Sequence, residues 1–273
     1  MLRVLKHSDL GKGKAMCLLL VAHQQHANYR LIVAANRDEF YARAAAPASF
    51  WSDNNAILGG RDLQANGTWL AVNRAGWFAA ITNVRTAHRV DVPRSRGLIV
   101  SDYLSGCRAA RQFVDYLAEA GASYEGFNVL TGDAHSVAWY SNHSDQAQTL
   151  ASGVYGLSNH LLDTPWPKVK RIKADFLDAQ ALSETELIET MFVSLANEDP
   201  APDAELPDTG ISLEGERMLA PIFVTGESYG TRCSTIILVS HAGILTFVER
   251  RFGPNKLILG ESRFKFELES PPI

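Results

Sequence analysis

The sequence predicts an α+β fold in which two antiparallel sheets stack on each other and helices cover their outer faces. Apolar runs of strand length are concentrated at the beginning, in the middle and at the end of the chain. Two regions with helical spacing separate these groups of strands, and short polar turns join neighbouring strands into hairpins. Hairpins produce antiparallel sheets, and each sheet has an apolar face that another layer must bury.

The first half of the chain predicts five strands and two helices. The strands are expected at 17–23, 30–35, 56–60, 68–72 and 77–84, and the last two are joined by a turn at 73–76 that ends in glycine. Leu104, Phe113, Val114 and Leu117 recur at helical spacing, which predicts two helices between residues 98 and 120.

The second half repeats the pattern of strands, helices and strands. Strands are expected at 128–131, 136–140 and near 149–154, followed by a helix over 166–181. Ser183 and Glu186 stand in capping-box spacing and predict the start of another helix. Residues 197–215 are rich in Pro, Asp and Glu and predict a surface loop. Final strands are expected at 222–224, 232–240, 244–251 and 257–260.

Length and composition indicate one large domain over residues 17–273. Apolar residues make up 46% of the 273 residues, which is enough for a substantial core. Residues 1–16 lack sustained periodicity and contain several basic residues, so we interpret them as a disordered leader or as an upstream start included in error.

Charge and cysteine content exclude several classes of protein. A net charge of −4 without a basic patch argues against a nucleic-acid partner. No apolar run reaches the roughly 18 residues of a membrane span. Three widely spaced cysteines form neither a disulfide framework nor a zinc site, so we expect a reducing cytoplasm. His23 and His26 lack the partners of a metal site, and no metal or cofactor is expected.

Cys17 is the first candidate for chemistry because it follows Met16. If translation begins at Met16, removal of the methionine leaves Cys17 with a free α-amine beside its thiol. The amine has a pKa of about 7.7–8.0 and is therefore able to accept the thiol proton near neutral pH. A cysteine before three leucines is also typical of a buried strand residue.

The polar quartet Asn36-Arg37-Asp38-Glu39 follows an apolar strand, where the strand is expected to reach the surface. A carboxylate there is able to hold and tune the α-amine, and an arginine favours a thiolate. An exposed strand end is the plainer interpretation of the same four residues.

The remaining candidate site residues are two asparagines and an arginine near the end of the chain. Asn83 and Asn159 lie beside strand ends, and side-chain amides are suitable donors for an oxyanion hole, although asparagine is also common in turns. Arg232 enters the strand at 232–240 after a glycine, either pointing into a cleft to pair with Asp38 or as an ordinary solvated charge.

Several short motifs in this order resemble the NRDE family, whose eukaryotic members are called transport and Golgi organization protein 2. The motifs are Met16-Cys17, the quartet 36–39, Gly59-Gly60-Arg61-Asp62, Gly67-Thr68-Trp69, Ile81-Thr82-Asn83, residues 156–159 with 163–168, and Gly230-Thr231-Arg232. The family is in turn similar to the cysteine branch of the Ntn hydrolases, which contains penicillin V acylases and bile salt hydrolases. The resemblance implies a four-layer αββα sandwich.

The resemblance also implies roles for individual residues. Cys17 matches the nucleophile, Asp38 the contact to the α-amine, and Arg232 an arginine near the nucleophile. Asn83 and Asn159 match the asparagines that supply the oxyanion hole and a contact to the amine. The branch places an arginine a few residues before the aspartate, where this chain has Ala35, and Arg37 stands one residue before Asp38 instead. Substrate contacts are expected from Asn36, Arg37, Glu39 and Trp69.

The predicted function is an amidohydrolase that cleaves the carbon–nitrogen bond of a small acyl amide. The alternative is a non-catalytic carrier or chaperone for an apolar ligand such as haem or an acyl-CoA, with His23 and His160 as candidate haem ligands. The sequence identifies neither the substrate nor the oligomeric state.

Overall fold

The computed structural model describes residues 16–84, 94–120 and 124–269. Thirteen strands and five α-helices lie in these ranges. In chain order they are β1 (Met16–His23), β2 (Tyr29–Phe40), β3 (Ala45–Phe50), β4 (Ile57–Asp62), β5 (Leu70–Asn73), β6 (Phe78–Asn83), α1 (Gly97–Ser105), α2 (Ala110–Ala120), β7 (Phe127–Gly132), β8 (Val137–Ser141), β9 (Gln146–Leu150), β10 (Gly153–Leu157), α3 (Pro167–Ala179), α4 (Glu184–Leu195), α5 (Leu213–Leu219), β11 (Tyr229–Ser240), β12 (Ile244–Phe252) and β13 (Ile258–Glu267).

The strands form two antiparallel sheets. Sheet A has the order β10-β1-β2-β11-β12-β13, and sheet B has the order β3-β4-β5-β6-β7-β8-β9. Sheet B is a simple meander from β3 to β6 that continues through β7 to β9. Sheet A joins strands from both ends of the chain, because β11 pairs with β2 over most of its length.

Three apolar clusters hold four layers together. One lies between sheet A and helices α3 and α4, a second between the two sheets, and a third between sheet B and helices α1 and α2. The order of layers is therefore helices, sheet A, sheet B, helices. This confirms the predicted αββα sandwich.

Local signals in the sequence explain most of the elements. The predicted capping box at the start of α4 is present, with Ser183 and Glu186 each bonding the other's main chain. Pro167 occupies the first turn of α3, where a missing N–H costs nothing. Gly76 adopts φ 75° in the turn between β5 and β6, a conformation that glycine tolerates best.

Four expectations about the elements differ from the structure. The strand expected near 149–154 is two strands, β9 and β10, separated by residues 151 and 152. Residues 222–224 form no strand; they are a buried loop in which Phe223 and Val224 bond the main chain of Asn197 and Thr231. Strand β3 was not predicted, because it is a mostly half-exposed edge strand. The last strand is longer than expected and runs to Glu267, since its charged residues alternate with half-buried phenylalanines.

Candidate active site

Cys17 and Arg37 are direct partners on neighbouring strands. The register pairs Cys17 of β1 with Arg37 of β2, and Arg37 is in turn opposite Cys233 of β11. Side chains alternate between the faces of a strand, and Leu19 and Ala35 belong to the cluster between the sheets. Cys17, Arg37 and Cys233 therefore form a row that faces sheet B.

The quartet at residues 36–39 lies inside β2 and is buried, which corrects the expectation of a strand end at the surface. Its members are 1%, 5%, 0% and 8% exposed in chain order. Arg37 and Glu39 face the layer between the sheets, whereas Asn36 and Asp38 face the helices. One motif thus contributes to two separate layers.

The Cys17 thiol is a weak acid in this setting. Burial, and after it the charge of Asp38, raises the pKa of Cys17 to about 12. The charge of Arg37 and a hydrogen bond from the main-chain N–H of Asp38 act in the opposite direction. A thiol with this pKa is protonated at pH 7 and needs a base before it becomes a nucleophile.

Asp38 carries one satisfied and one unsatisfied oxygen. Its Oδ1 accepts a hydrogen bond of 2.6 Å from the Thr231 hydroxyl, which itself accepts from the Val224 N–H. Its Oδ2 is buried and has no hydrogen-bond partner among the described residues. Burial raises the pKa of Asp38 to about 6, against the opposing charge of Lys168.

The register brings the Asp38 strand position next to the start of β1. Met16 is opposite Asp38 and Cys17 is opposite Arg37, so the nitrogen of Cys17 lies between these two rungs of the ladder. The structure therefore brings Cys17, Arg37 and Asp38 together, with the sulfur on one face of the sheet and the Asp38 carboxyl on the other.

Asn83 and Asn159 reach the same end of the molecule and contact each other. The side-chain amide of Asn159 donates to the main-chain oxygen of Asn83 at 2.9 Å, which links β6 of sheet B to the segment after β10. Asn159 follows Ser158, whose hydroxyl bonds the main-chain oxygen of Cys17, so both asparagines lie at the Cys17 end of β1, and one Asn159 donor is engaged within the protein.

Ser158 and Thr82 were not predicted as site residues. The Ser158 hydroxyl donates to the main-chain oxygen of Cys17 at 3.0 Å, and the Thr82 hydroxyl donates to the main-chain oxygen of Ser158 at 2.9 Å. The buried Asn128 side chain supports Thr82 and also donates to the His160 carbonyl. Ser158 and Thr82 each directly precede a predicted asparagine, and this adjacency was the available signal.

Arg232 does not pair with Asp38. It lies at a bulge in the pairing of β11 with β2, and its Nη1 donates to the main-chain oxygens of Phe40 and Arg43. Its guanidinium also lies 5.5 Å from the centre of the Tyr41 ring. Arg232 thus ties β2 to the turn that follows it.

The four residues expected to contact substrate have different environments. The Asn36 amide donates to the carbonyls of Leu195 and Ile222, and Glu39 accepts from its own neighbour's N–H and lies 3.8 Å from Arg43. The Arg37 guanidinium stacks at 4.1 Å on the ring of Trp69. Of these four, Arg37 is directly opposite Cys17, and its guanidinium makes no hydrogen bond within the described part of the chain.

Two features are absent from the described part of the chain. No group of three His, Cys, Asp or Glu side chains in ranges 16–84, 94–120 and 124–269 is placed to hold a metal ion. Within the same ranges, no helix has the length and apolar composition needed to cross a membrane. All three cysteines are free thiols.

Comparison with solved structures gives matches of low sequence similarity. The Caenorhabditis elegans orthologue of N-acylethanolamine-hydrolyzing acid amidase is 10% identical with a TM-score of 0.47, over 81% of this chain and 92% of that one. A mutant of the conjugated bile acid hydrolase from Clostridium perfringens is 11% identical with a TM-score of 0.40, over 94% of this chain and 97% of that one.

Known protein sequences include relatives of much higher identity to this chain. The transport and Golgi organization protein 2 homologue of Homo sapiens is 37% identical over 89% of this chain and 94% of its own length. The Drosophila melanogaster protein of the same name is 28% identical over 86% of this chain and 91% of its own length. The family model "Transport and Golgi organisation 2" matches residues 16–254. The chain belongs to the Transport and Golgi organisation 2 family.

Proposed function

We propose that this chain is an amidohydrolase whose nucleophile is the Cys17 thiol, activated by the α-amine of Cys17 when that residue is the first of the chain. The observation that supports it is the register around Asp38. The nitrogen of Cys17 lies between the Arg37 and Asp38 rungs, and Asp38 has a buried carboxyl oxygen without a partner among the described residues. A buried carboxylate oxygen of this kind suits a positively charged amine.

A free α-amine supplies the base that the Cys17 thiol lacks. With its pKa raised to about 12, the thiol does not ionise by itself near neutral pH. An α-amine with a pKa of about 7.7–8.0 is a base at that pH and is attached to the same residue. The match to the family model begins at residue 16, directly before Cys17, and this agrees with a working chain that starts at Cys17.

The reaction proceeds in two halves. The Cys17 sulfur attacks the amide carbonyl, its proton passes to the α-amine, and a carbon–sulfur bond forms. The amine then gives the proton to the leaving nitrogen as the carbon–nitrogen bond breaks. Water hydrolyses the resulting thioester. Asn83 and Asn159 are the candidate donors to the oxyanion, and Arg232 positions the turn after β2.

The test compares two forms of the chain on a panel of acyl amides. One form begins at Met16, so that removal of the methionine exposes Cys17, and the other retains residues 1–16; intact mass spectrometry establishes each start. We expect turnover only from the chain that starts at Cys17, and we expect Cys17→Ala to abolish it.

Cys233→Ser is the matched control, because Cys233 flanks Arg37 on the other side and lies on the same face. It should retain turnover. Equal activity in both forms of the chain, or activity that survives Cys17→Ala, would contradict the mechanism.

A non-catalytic carrier is the second candidate, and it is favoured by the protonated state of Cys17 in a chain that retains the preceding residues. His23 lies at the far end of β1, about 20 Å from the Cys17 end that His160 adjoins, so the two cannot ligate one haem iron together. A titration with haem, read by its Soret absorbance in the wild type and in His160→Ala, tests a single-ligand site.

The cytoplasmic location stays a prediction.

A further inference from the structure

Arg37 is a buried cation without a protein partner among the described residues. Its side chain is 5% exposed, and its guanidinium stacks on Trp69 at 4.1 Å. Within ranges 16–84, 94–120 and 124–269 the guanidinium makes no hydrogen bond and no ion pair. Stacking on an aromatic ring orients an arginine, but it leaves the N–H donors in the plane of the guanidinium unused.

The neighbouring acids make no hydrogen bond or ion pair with Arg37 within the described residues, although one oxygen each of Asp38 and Glu249 is buried without a partner there. Glu39 accepts from the Phe40 N–H and faces Arg43, and Glu249 accepts from the Ala48 N–H at 2.8 Å. Asp38 lies on the other face of the sheet and bonds Thr231. Burial raises the pKa values of Asp38 and Glu249, and the charge of Arg37 is among the interactions that oppose that rise, but none of these carboxylates bonds the Arg37 guanidinium within the described residues.

The thiol of Cys17 does not neutralise it either. Because the pKa of Cys17 is raised to about 12, the sulfur is uncharged near pH 7. Arg232 adds a second positive charge, and its pKa is lowered by burial and then by Arg37. A buried guanidinium without a hydrogen-bond acceptor is costly, so a site of this kind is suited to an anion that arrives with a ligand.

We propose that Arg37 binds a carboxylate of the substrate, so that the protein acts on amides that carry a carboxylate within a few bonds of the scissile carbonyl. Directly opposite residues on antiparallel strands have Cβ atoms about 4.5–5.5 Å apart, which places the Arg37 side chain next to the Cys17 side chain that attacks the carbonyl. The proximity to a scissile bond rests on the proposed function, whereas the binding of the anion does not.

The geometry favours a carboxylate over a phosphate. A planar carboxylate pairs edge to edge with a guanidinium through two parallel hydrogen bonds. The Arg37 guanidinium lies over the Trp69 ring at 4.1 Å, and the residue is only 5% exposed, so little room is left at the edge of the guanidinium. A tetrahedral anion needs more room at that edge.

The experiment measures anion binding in Cys17→Ala, which has no nucleophile, with acetate, its neutral analogue acetamide and inorganic phosphate at constant ionic strength. Binding is read by isothermal titration and by the rise in melting temperature. We expect acetate to bind more tightly than phosphate and acetamide not to bind. Adding Arg37→Met should weaken acetate binding roughly 10- to 100-fold, since two charge-assisted hydrogen bonds are lost.

Arg61→Met in the same background is the matched control. Arg61 also stacks on a tryptophan, with its guanidinium 4.0 Å from the Trp51 ring, but it is paired with Asp53 at 2.7 Å. It should leave acetate binding unchanged.

Three results would overturn the assignment: equal binding of acetate and acetamide, acetate binding that survives Arg37→Met, or phosphate binding at least as tightly as acetate. If Arg37 serves only the Cys17 thiolate, Arg37→Met slows alkylation of Cys17 in the otherwise wild-type chain and no anion binds. Acetate binding without any amide hydrolysis would support Arg37 as the carboxylate-binding residue and would contradict the proposed amidohydrolase function.

Discussion

Substitutions at neighbouring members of the quartet should have different effects on stability, because the side chains lie on opposite faces of β2. We expect Asn36→Ala to destabilise the protein strongly. The Asn36 amide donates to the Leu195 and Ile222 carbonyls at 2.8 and 2.9 Å, and its oxygen accepts from the Ser234 hydroxyl at 2.6 Å. The side chain is 1% exposed, so water does not replace these bonds.

The magnitude follows from the groups that are left unsatisfied. Two carbonyls and one hydroxyl lose their partner, each at about 1–3 kcal/mol, and the Ser234 hydroxyl is free to rotate toward another acceptor. The free energy of unfolding should therefore fall by about 3–5 kcal/mol, a large part of the typical 5–15 kcal/mol for a domain. Ser234→Ala removes one of the three bonds and should cost about 1 kcal/mol.

Arg37→Met should leave the free energy of unfolding unchanged or raise it. The change removes a buried charge whose desolvation costs several kcal/mol, and it loses a stacking interaction with Trp69 of about 0.5–2 kcal/mol. Urea denaturation at pH 7, with the slope m compared between variants, measures both changes. A loss below about 1 kcal/mol for Asn36→Ala, or a loss for Arg37→Met as large as that expected for Asn36→Ala, would refute this division of roles.

Three further predictions concern the same end of the molecule. Since burial raises the pKa of Asp38 from 3.8 to about 6, the folded state holds this proton more tightly than the unfolded state, and stability falls as pH rises between these values. Asp38→Asn lacks this titration, so urea unfolding from pH 4 to 7 should show its stability rising relative to wild type, and a constant difference would contradict the shift. Thr82→Val removes the donor to the Ser158 carbonyl and should lower the free energy of unfolding by about 1–2 kcal/mol. An unchanged midpoint of urea unfolding would contradict this prediction. Gly60→Ala places a methyl 2.4 Å from the Trp69 ring, so near-ultraviolet circular dichroism should change and acetate binding should weaken; an unchanged spectrum with full acetate binding would contradict the contact.

Most of the fold follows from local periodicity. Helix α3 spans Pro167–Ala179 within the predicted 166–181, and α4 begins after Ser183 as its capping box predicts. Most of strand β13 was not predicted, because charged residues alternate with half-buried ones at an exposed edge. The loop at 222–224 shows the converse error, since a short apolar run is buried without being a strand.

The site was less accessible to sequence reasoning, because it depends on pairing between distant strands. Asn36 and Ser234 are hydrogen-bonded although they lie 198 positions apart, and no local pattern sets that register. The bulge between Thr231 and Cys233 redirects Arg232 toward main-chain carbonyls, and a bulge is not visible in apolar periodicity. The sequence therefore pointed to several residues that meet in this region, but it missed Ser158 and Thr82 and did not predict the face of the sheet on which each residue lies.

The division of the quartet between two layers explains why an N-terminal residue suits the proposed chemistry. The Cys17 sulfur faces the layer between the sheets with Arg37, whereas the Asp38 carboxyl faces the helices. A side chain in the middle of a strand reaches only one of these layers. The main-chain nitrogen lies in the plane of the sheet, between the layers, and becomes a titratable group only at a chain start. As a first residue, Cys17 therefore provides a thiol that faces the layer between the sheets and an α-amine that is able to pair with the Asp38 carboxyl on the helix side. An internal residue of β1 has no titratable main-chain amine and does not have that combination.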